Sequence, residues 1–269
     1  MPAVSQALLE FANHRRPQPE PGTEVIATPR YVITLQPDFP IPGPNSASFI
    51  RCRPDESEEV IHEVRQTFTA RRLPLMWQLD PEMEPPDFPD HLERHGIHPD
   101  PHGSEFAVMV LPVDATVDGP QIPGLEIHDA LADLATFMKA TAAAAEAFRS
   151  PIPEDDPDYI AMQDRRRLNL LAARHRRFLL ATVDGEPAGS AGIGLFPPGG
   201  AAISGGSVRP KFRGRGIYRA MVAARLEIAR TAGVDGLCVW GGDMSGPILA
   251  RMEFETVGWR RFYLDTSIV

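Results

Sequence analysis

The sequence predicts a mixed α/β chain in two parts, and three observations carry that reading. Residues 201–228 run from a small, apolar strand through a basic glycine loop into a helix. Residues 178–196 alternate about Asp184-Gly185, the signal of a β-hairpin. The first half gives strand, strand, helix, strand, short helix and strand in that order. Residues 17–22, Pro-Gln-Pro-Glu-Pro-Gly, read as an extended linker. Strands are predicted over 30–36 and 46–52, and a helix over 54–71 with Val60, Ile61, Val64 and Phe68 on one side. The apolar runs 75–79 and 106–111 close that half. The second half opens with a strand at 125–128. A helix follows over 130–148, with Leu131, Leu134, Ala135, Met138 and Ala142 on one face. Prolines 151, 153 and 157 interrupt it before another helix over 159–176. Beyond the hairpin and the loop lie a strand at 237–240, a helix within 245–258 and a last strand at 260–264.

The stretch 208–221 reads Val-Arg-Pro-Lys-Phe-Arg-Gly-Arg-Gly-Ile-Tyr-Arg-Ala-Met. Pro210 cannot continue a central strand and stops the pairing. Gly214 and Gly216 can take a positive φ and let the backbone approach a ligand closely. Downstream, Ile217, Ala220, Met221, Ala224 and Ile228 share one helix face, and Gly233 marks its end. A helix start of this kind aims several N–H groups at one spot beside the positive end of the helix dipole. With Arg213 and Arg215 added, the spot suits a phosphate or pyrophosphate. The alternative is a surface turn with solvated arginines. The sequence has no G-x-x-x-x-G-K-[ST], and no G-x-G-x-x-G opening a helix after a strand.

The stretch resembles the acyl-CoA pyrophosphate loop of the GNAT N-acetyltransferase superfamily, Gln/Arg-x-x-Gly-x-Gly/Ala after a strand ending Val-x-Pro. Arg213 fills the first position and Gly216 the fourth; Tyr218 stands at the sixth, where Gly or Ala is usual. The hairpin at 178–196 and the run Leu237-Cys-Val-Trp240 agree with that family. So does 245–258, which resembles its closing helix and Gly-Phe turn, with Glu253 in place of the glycine and Phe254 kept. The likeness covers the chain from Leu125 onward. It implies a mixed, mostly antiparallel twisted sheet flanked by helices, and the first half resembles a trimmed domain of the same kind without the glycine loop. The expected division is therefore tandem: a degenerate N-terminal domain over 1–122 and an acetyl-CoA-binding domain over 123–269.

The resemblance further implies acetyl-CoA as donor, held by Ser207, Val208, Arg209, Arg213, Gly214, Arg215, Gly216, Ile217 and Tyr218. It implies N-acetylation of a primary amine on a small molecule or peptide by direct attack, with a backbone N–H near Val208 stabilising the oxyanion. The tyrosine acid common in the family has no counterpart; Leu249 holds the matching position. Ser245 and Asp243 are the catalytic candidates, and Asp243 reads equally well as a turn or cap residue. A non-catalytic acyl-CoA-binding module is the alternative.

Composition agrees with a globular protein: 43% hydrophobic and 23% charged residues. The 27 basic and 36 acidic residues leave a net charge of −9, which argues against general nucleic-acid binding. There is no apolar run long enough for a membrane span and no signal-peptide pattern, so a cytoplasmic location is expected. Cys52 and Cys238 both lie in apolar runs and read as small core residues. His91 and His95 have the i, i+4 spacing of metal ligands, with His98 and His102 nearby. Glu93 is not placed as in H-E-x-x-H, however, and no metal is expected. The basic stretch around 164–177 reads either as a solvated helix face or as a contact for an acidic acceptor.

Overall fold

The computed structural model describes residues 3–268. In chain order they form α1 (Gln6–His14), β1 (Glu24–Ala27), β2 (Val32–Leu35), β3 (Ser46–Ser48), α2 (Ser57–Arg71), β4 (Leu75–Leu79), α3 (Phe88–Arg94), β5 (His98–Pro99) and β6 (Glu105–Pro112). There follow β7 (Leu125–Asp129), α4 (Leu134–Phe148), α5 (Pro157–Ala172), β8 (Arg176–Val183), β9 (Glu186–Phe196), β10 (Gly200–Val208), α6 (Ile217–Thr231), β11 (Gly236–Gly241), α7 (Gly246–Ala250) and β12 (Glu255–Asp265). Among the described residues, no helix is long and apolar enough to cross a membrane.

The chain divides into two compact units, each drawn from separated segments. One, here the glycine-loop unit, takes the N-terminal segment up to Asn13, Met109–Val239 and Ile248–Glu255. The companion unit takes His14–Val108, Trp240–Pro247 and the chain from Thr256 onward.

In the glycine-loop unit β7, β8, β9 and β10 lie side by side as antiparallel neighbours, and β11 joins β10 in parallel. The β8–β9 hairpin turns at Asp184-Gly185, both at positive φ (50° and 79°), as a two-residue turn requires. Successive strand residues face opposite ways, so Leu180 packs with Ala140 of α4 while Ala181 joins Ile217 and Met221 of α6. The sheet is thus covered by α4 on one face and α6 on the other. Glycines 200 and 236 make room for α1: a Cβ on Gly200 would lie 2.5 Å from Phe11, and one on Gly236 2.6 Å from Leu8.

Two helices differ from the sequence expectation in start or in face. α4 begins at Leu134, four residues later than periodicity suggests, because Asp133 accepts the Thr136 N–H at 2.8 Å and sets the cap. Its buried side is Phe137, Ala140, Thr141, Ala143 and Ala147, not the stripe through Ala135 and Met138. α6 buries Ile217, Ala220, Met221, Val222, Leu226 and Ala229, and with them Arg225; Ala224 and Ile228 are only half-buried. Helix α5 stops at Ala172, before Arg174 turns the chain with φ 49°.

In the companion unit the strand order is β1, β2, β3, β4, β12, with β5 beside β12; the β3–β4 pair is parallel and the others antiparallel. β1 is an addition to the sequence reading, in which the chain runs from the linker directly to the strand at 30–36. Val60, Ile61, Val64 and Phe68 of α2 pack with Leu75, Trp77 and Leu79 of β4, as their helical and strand spacing suggests. The carboxylate of Asp265 is buried and bound by Arg65 Nε at 2.6 Å and Nη2 at 3.2 Å. The His91 and His95 pair brackets Glu58, with His91 Nδ1 at 2.9 Å from one oxygen and His95 Nε2 against the other. These two interactions hold the Glu58 carboxyl below its ordinary value, His95 more than His91. Both cysteines are free and buried.

Candidate functional site at the glycine loop

The site grows out of an irregular strand end. β10 follows β9 regularly to Ser204, then the register shifts between Ser204 and Ser207, with Gly205 at φ 58°. Such a bulge bends a strand and leaves a residue unpaired. On its other side β10 pairs with β11 only at Ala201↔Leu237 and Ala202↔Cys238. Residues 203–208 therefore run on as a strand whose β11-facing edge carries no further ladder pairs among the described residues.

Pro210 then ends the strand, and a short 3₁₀ turn, Pro210–Phe212, drops Phe212 into the core beside Ile217 and Met221. Arg209 N–H donates to Ala188 O at 2.9 Å and ties the turn to β9. Gly214 and Gly216 have φ 74° and 84°, the left-handed region that glycine tolerates best. A Cβ on Gly214 would meet nothing within 4 Å, so the backbone there faces open space. Gly216 is the residue before α6, and no side chain caps the helix. The first amides of α6 are consequently left without intrahelical acceptors at the positive end of the dipole.

The cations divide by what they touch. Arg213 donates Nε to Val208 O at 3.1 Å and Nη2 to Ala147 O at 2.9 Å, joining the end of β10 to the last turn of α4. Arg209 is held by Glu146 at 2.6 Å, Glu186 at 3.1 Å and Pro187 O at 2.7 Å. Lys211 pairs with Glu186, and this contact is the main reason that carboxyl sits below its ordinary value. Arg215 lies 5.7 Å from the Phe212 ring centre and has no carboxylate partner among the described residues; Arg219 has none either. Sequence alone offers Arg213 and Arg215 alike as loop cations; in the structure Arg213 is engaged by carbonyls, and Arg215 is exposed without a carboxylate partner among the described residues.

Three of the residues expected to hold the cofactor face inward. The Ser207 hydroxyl is buried against that of Ser190 at 3.1 Å. Ile217 is a core residue and contributes to the loop only through its backbone. The Tyr218 ring lies beneath the bulge: a Cβ on Gly206 would be 2.9 Å from Tyr218 Cε2 and 3.4 Å from Arg225 Nη2. The tyrosine occupies its unusual place because Gly206 has no side chain. Burial raises the Tyr218 phenol above its usual pKa, and the neighbouring Arg225 partly offsets this. Arg225 is 1% exposed; it donates to Met221 O at 3.0 Å and to Gly192 O at 3.4 Å, while Nη2 lacks an acceptor. Burial lowers its pKa well below the ordinary guanidinium range, to about 10. A charged residue breaks the apolar pattern, which is why periodicity missed this one.

Met138 and Ala142, which periodicity places on the apolar face of the helix, line a groove of about 720 Å³ with Glu146, Arg149, Ile152 and Arg209. The basic stretch is largely committed locally. Arg166 lies over the rings of Phe137 and Phe178 and is pushed down to about 10 by burial. Arg167 is paired with Asp164 at 2.7 Å and donates to Leu131 O. Arg174, Arg176 and Arg177 line a second groove of about 470 Å³ with Asp129, Leu131 and Leu171.

The catalytic candidates Asp243 and Ser245 lie in the segment that belongs to the companion unit. Asp243 is exposed in the turn after β11, and Ser245 N–H donates to Gly242 O at 3.1 Å. Leu249 is fully buried.

Residues 139–247 match the family model described as Acetyltransferase (GNAT) family. This stretch is a GNAT-family domain. The GNAT domain runs from within α4 past the glycine loop to the start of α7. Solved structures share its fold over most of the chain. A GCN5-related N-acetyltransferase from Kribbella flavida is 18% identical with TM-score 0.65, covering 91% of this chain and 90% of its own. A conserved protein of unknown function from Staphylococcus epidermidis is 14% identical with TM-score 0.67, covering 91% and 94%. A tandem GNAT protein from the clavulanic acid biosynthesis pathway is 14% identical with TM-score 0.59, covering 92% and 84%. No curated protein matches the chain.

Proposed function

We propose that the protein is an N-acetyltransferase that moves an acetyl group from acetyl-CoA to a primary amine of a small molecule or peptide. The observation that carries this reading is the glycine loop: open at Gly214, followed by uncapped α6 amides, and lying within the GNAT domain. The residues present fit the donor. Backbone N–H groups from Gly214 to Tyr218 supply hydrogen-bond donors for a pyrophosphate, and Arg215 and Arg219 supply positive charge. The unpaired edge of residues 203–208 offers further backbone groups to an extended ligand arm. Acetyl-CoA would bring an activated thioester, open to direct attack by the amine. Neither buried cysteine is required as a nucleophile. Of this chain's own groups, Asp243 is the exposed carboxylate proposed to take the ammonium proton, and Ser245 the hydroxyl proposed to hold a water or the departing sulfur.

The chain is read as two GNAT-like halves, 1–122 and 123–269, the first without a glycine loop. The fold shared with a protein described as a tandem GNAT supports a two-part reading, while the compact units of this chain draw on both halves. A second reading, an acyl-CoA-binding module without catalysis, is favoured by one observation: Leu249, fully buried, stands where the family commonly carries a tyrosine. Acetyl-CoA consumption measured across a library of amines separates the two. Turnover with any amine supports the enzyme; saturable CoA binding without turnover supports the module; absence of CoA binding overturns both.

A further inference from the structure

The connection between β6 and β7 lies along α6 from its last turn to its first. Arg230 donates Nε to Val113 O at 2.9 Å and Nη2 to Ala115 O at 2.5 Å. Seven residues earlier on the helix, Ala223 faces Gly119, where an added Cβ would touch its methyl at 3.5 Å. Seven earlier again, Gly216 faces Pro120: a Cβ on Gly216 would lie 2.7 Å from the proline Cγ and 3.8 Å from Ile122 Cδ1. Ile122 packs against the cluster containing Ile217 and Met221. A spacing of seven is about two helical turns, so positions 216, 223 and 230 form one stripe. Residues 113–122 cover that stripe as an antiparallel strap. Two anchors flank it: Arg230 at one end, and at the other Leu125 N–H on Ile122 O at 3.1 Å.

The two loop glycines then have different surroundings. Gly214 faces open space, while Gly216 is backed by a rigid pyrrolidine ring. Gly216 is also the residue whose φ of 84° turns the loop into the helix, so its orientation sets where the first amides of α6 point. We propose that Pro120 is a positioning residue for the cofactor seat. It acts through Gly216, and the strap at 113–122 fixes the angle between loop and helix. This assignment rests on the acyl-CoA reading above.

CoA affinity measured by calorimetry, with melting temperature as a check on folding, tests it in five proteins: unmodified, P120G, P120A, G216A and P120G/G216A. P120G should weaken CoA binding about three- to tenfold, and P120A, which keeps Cβ, should fall between. G216A drives a methyl into the proline ring, so removing that ring in the double variant should recover part of its loss. If P120G melts below the assay temperature, P120A carries the comparison. Unaltered CoA affinity in the folded proline variants overturns the assignment, as does a G216A defect that is the same with and without Pro120. An unmodified protein that does not bind CoA overturns the acyl-CoA reading itself; binding by the unmodified protein confines any failure to Pro120.

Discussion

Arg213 and Arg215 are two positions apart and do different work. Arg213 spends its guanidinium on the Val208 and Ala147 carbonyls, so Arg213→Ala should lower stability by about 1–2 kcal/mol and weaken CoA binding indirectly. Arg215→Ala should leave the melting temperature nearly unchanged and weaken CoA binding about fivefold or more, an effect that fades as salt rises. Affinity titrations at two ionic strengths read both outcomes; a salt-insensitive Arg215→Ala loss would contradict the assignment. Arg225 is a second case in which charge and location oppose each other. Its fully buried guanidinium has one nitrogen without an acceptor, so an apolar residue of similar length should serve as well. Arg225→Met is expected to fall within about 1 kcal/mol of the parent or to be more stable. The pH dependence has a definite sign. The folded pKa of about 10 lies below that of a solvated guanidinium, so the folded state loses this proton first. The charged form is penalised at neutral pH, and the penalty is relieved as pH rises through 10. Any advantage of Arg225→Met should therefore shrink between pH 7 and pH 11, as denaturant unfolding at several pH values would show.

Among the elements, those with unambiguous local chemistry were legible. Asp184-Gly185 specified the hairpin, Pro210 the strand end, and Gly233, at φ 68°, the stop after α6. Faces and caps were less so. α4 is rich in alanine nearly all round, so periodicity alone cannot orient it; Phe137 decides the buried side by size. As a result Met138 and Ala142, on the face that periodicity picks out, line a groove. The site had the same two levels. The glycines and the helix start could be read because glycine signals backbone freedom directly. The engagement of Arg213 by carbonyls and the backing of Gly216 by Pro120 depend on packing that sequence spacing does not encode. The closing turn makes the point from the other direction. Glu253 adopts a positive φ, 64°, a conformation that glycine takes more readily. Glu253→Gly should therefore be neutral to stabilising, by up to about 1 kcal/mol. Thermal unfolding would detect it, and a destabilised variant would mean that the Glu253 side chain makes a contact of value.

For the whole molecule, the sequence showed two parts but not how the chain is shared between them. The glycine-loop unit includes α1 and residues 109–122 from the first half, and the companion unit includes β12 from the second. A hydrophobic pattern indicates that a strand will be buried in a sheet; it does not name the neighbour. Asp265, bound by Arg65 and contributing Oδ1 to the Ser267 hydroxyl at 2.6 Å, fastens the last strand in the companion unit. Asp265→Ala would leave Arg65 without its counter-charge and should lower stability by about 3–5 kcal/mol. Chemical denaturation measures this, and a change below about 1 kcal/mol would show that β12 is held by other means. By the same reasoning, fragments 1–122 and 123–269 expressed separately should each fold poorly.

That last strand also imposes an order in time. Arg65 and Asp265 are 200 residues apart, so the ribosome needs about 10–40 s to deliver the second after the first. Throughout that interval β4, with its nearly continuous apolar run, lacks the partner it pairs with through Leu75 to Leu79. Nascent chains halted before residue 256 should accordingly be sticky and protease-sensitive in their first half, and slow or paused translation across the codons of β12 would prolong the hazard.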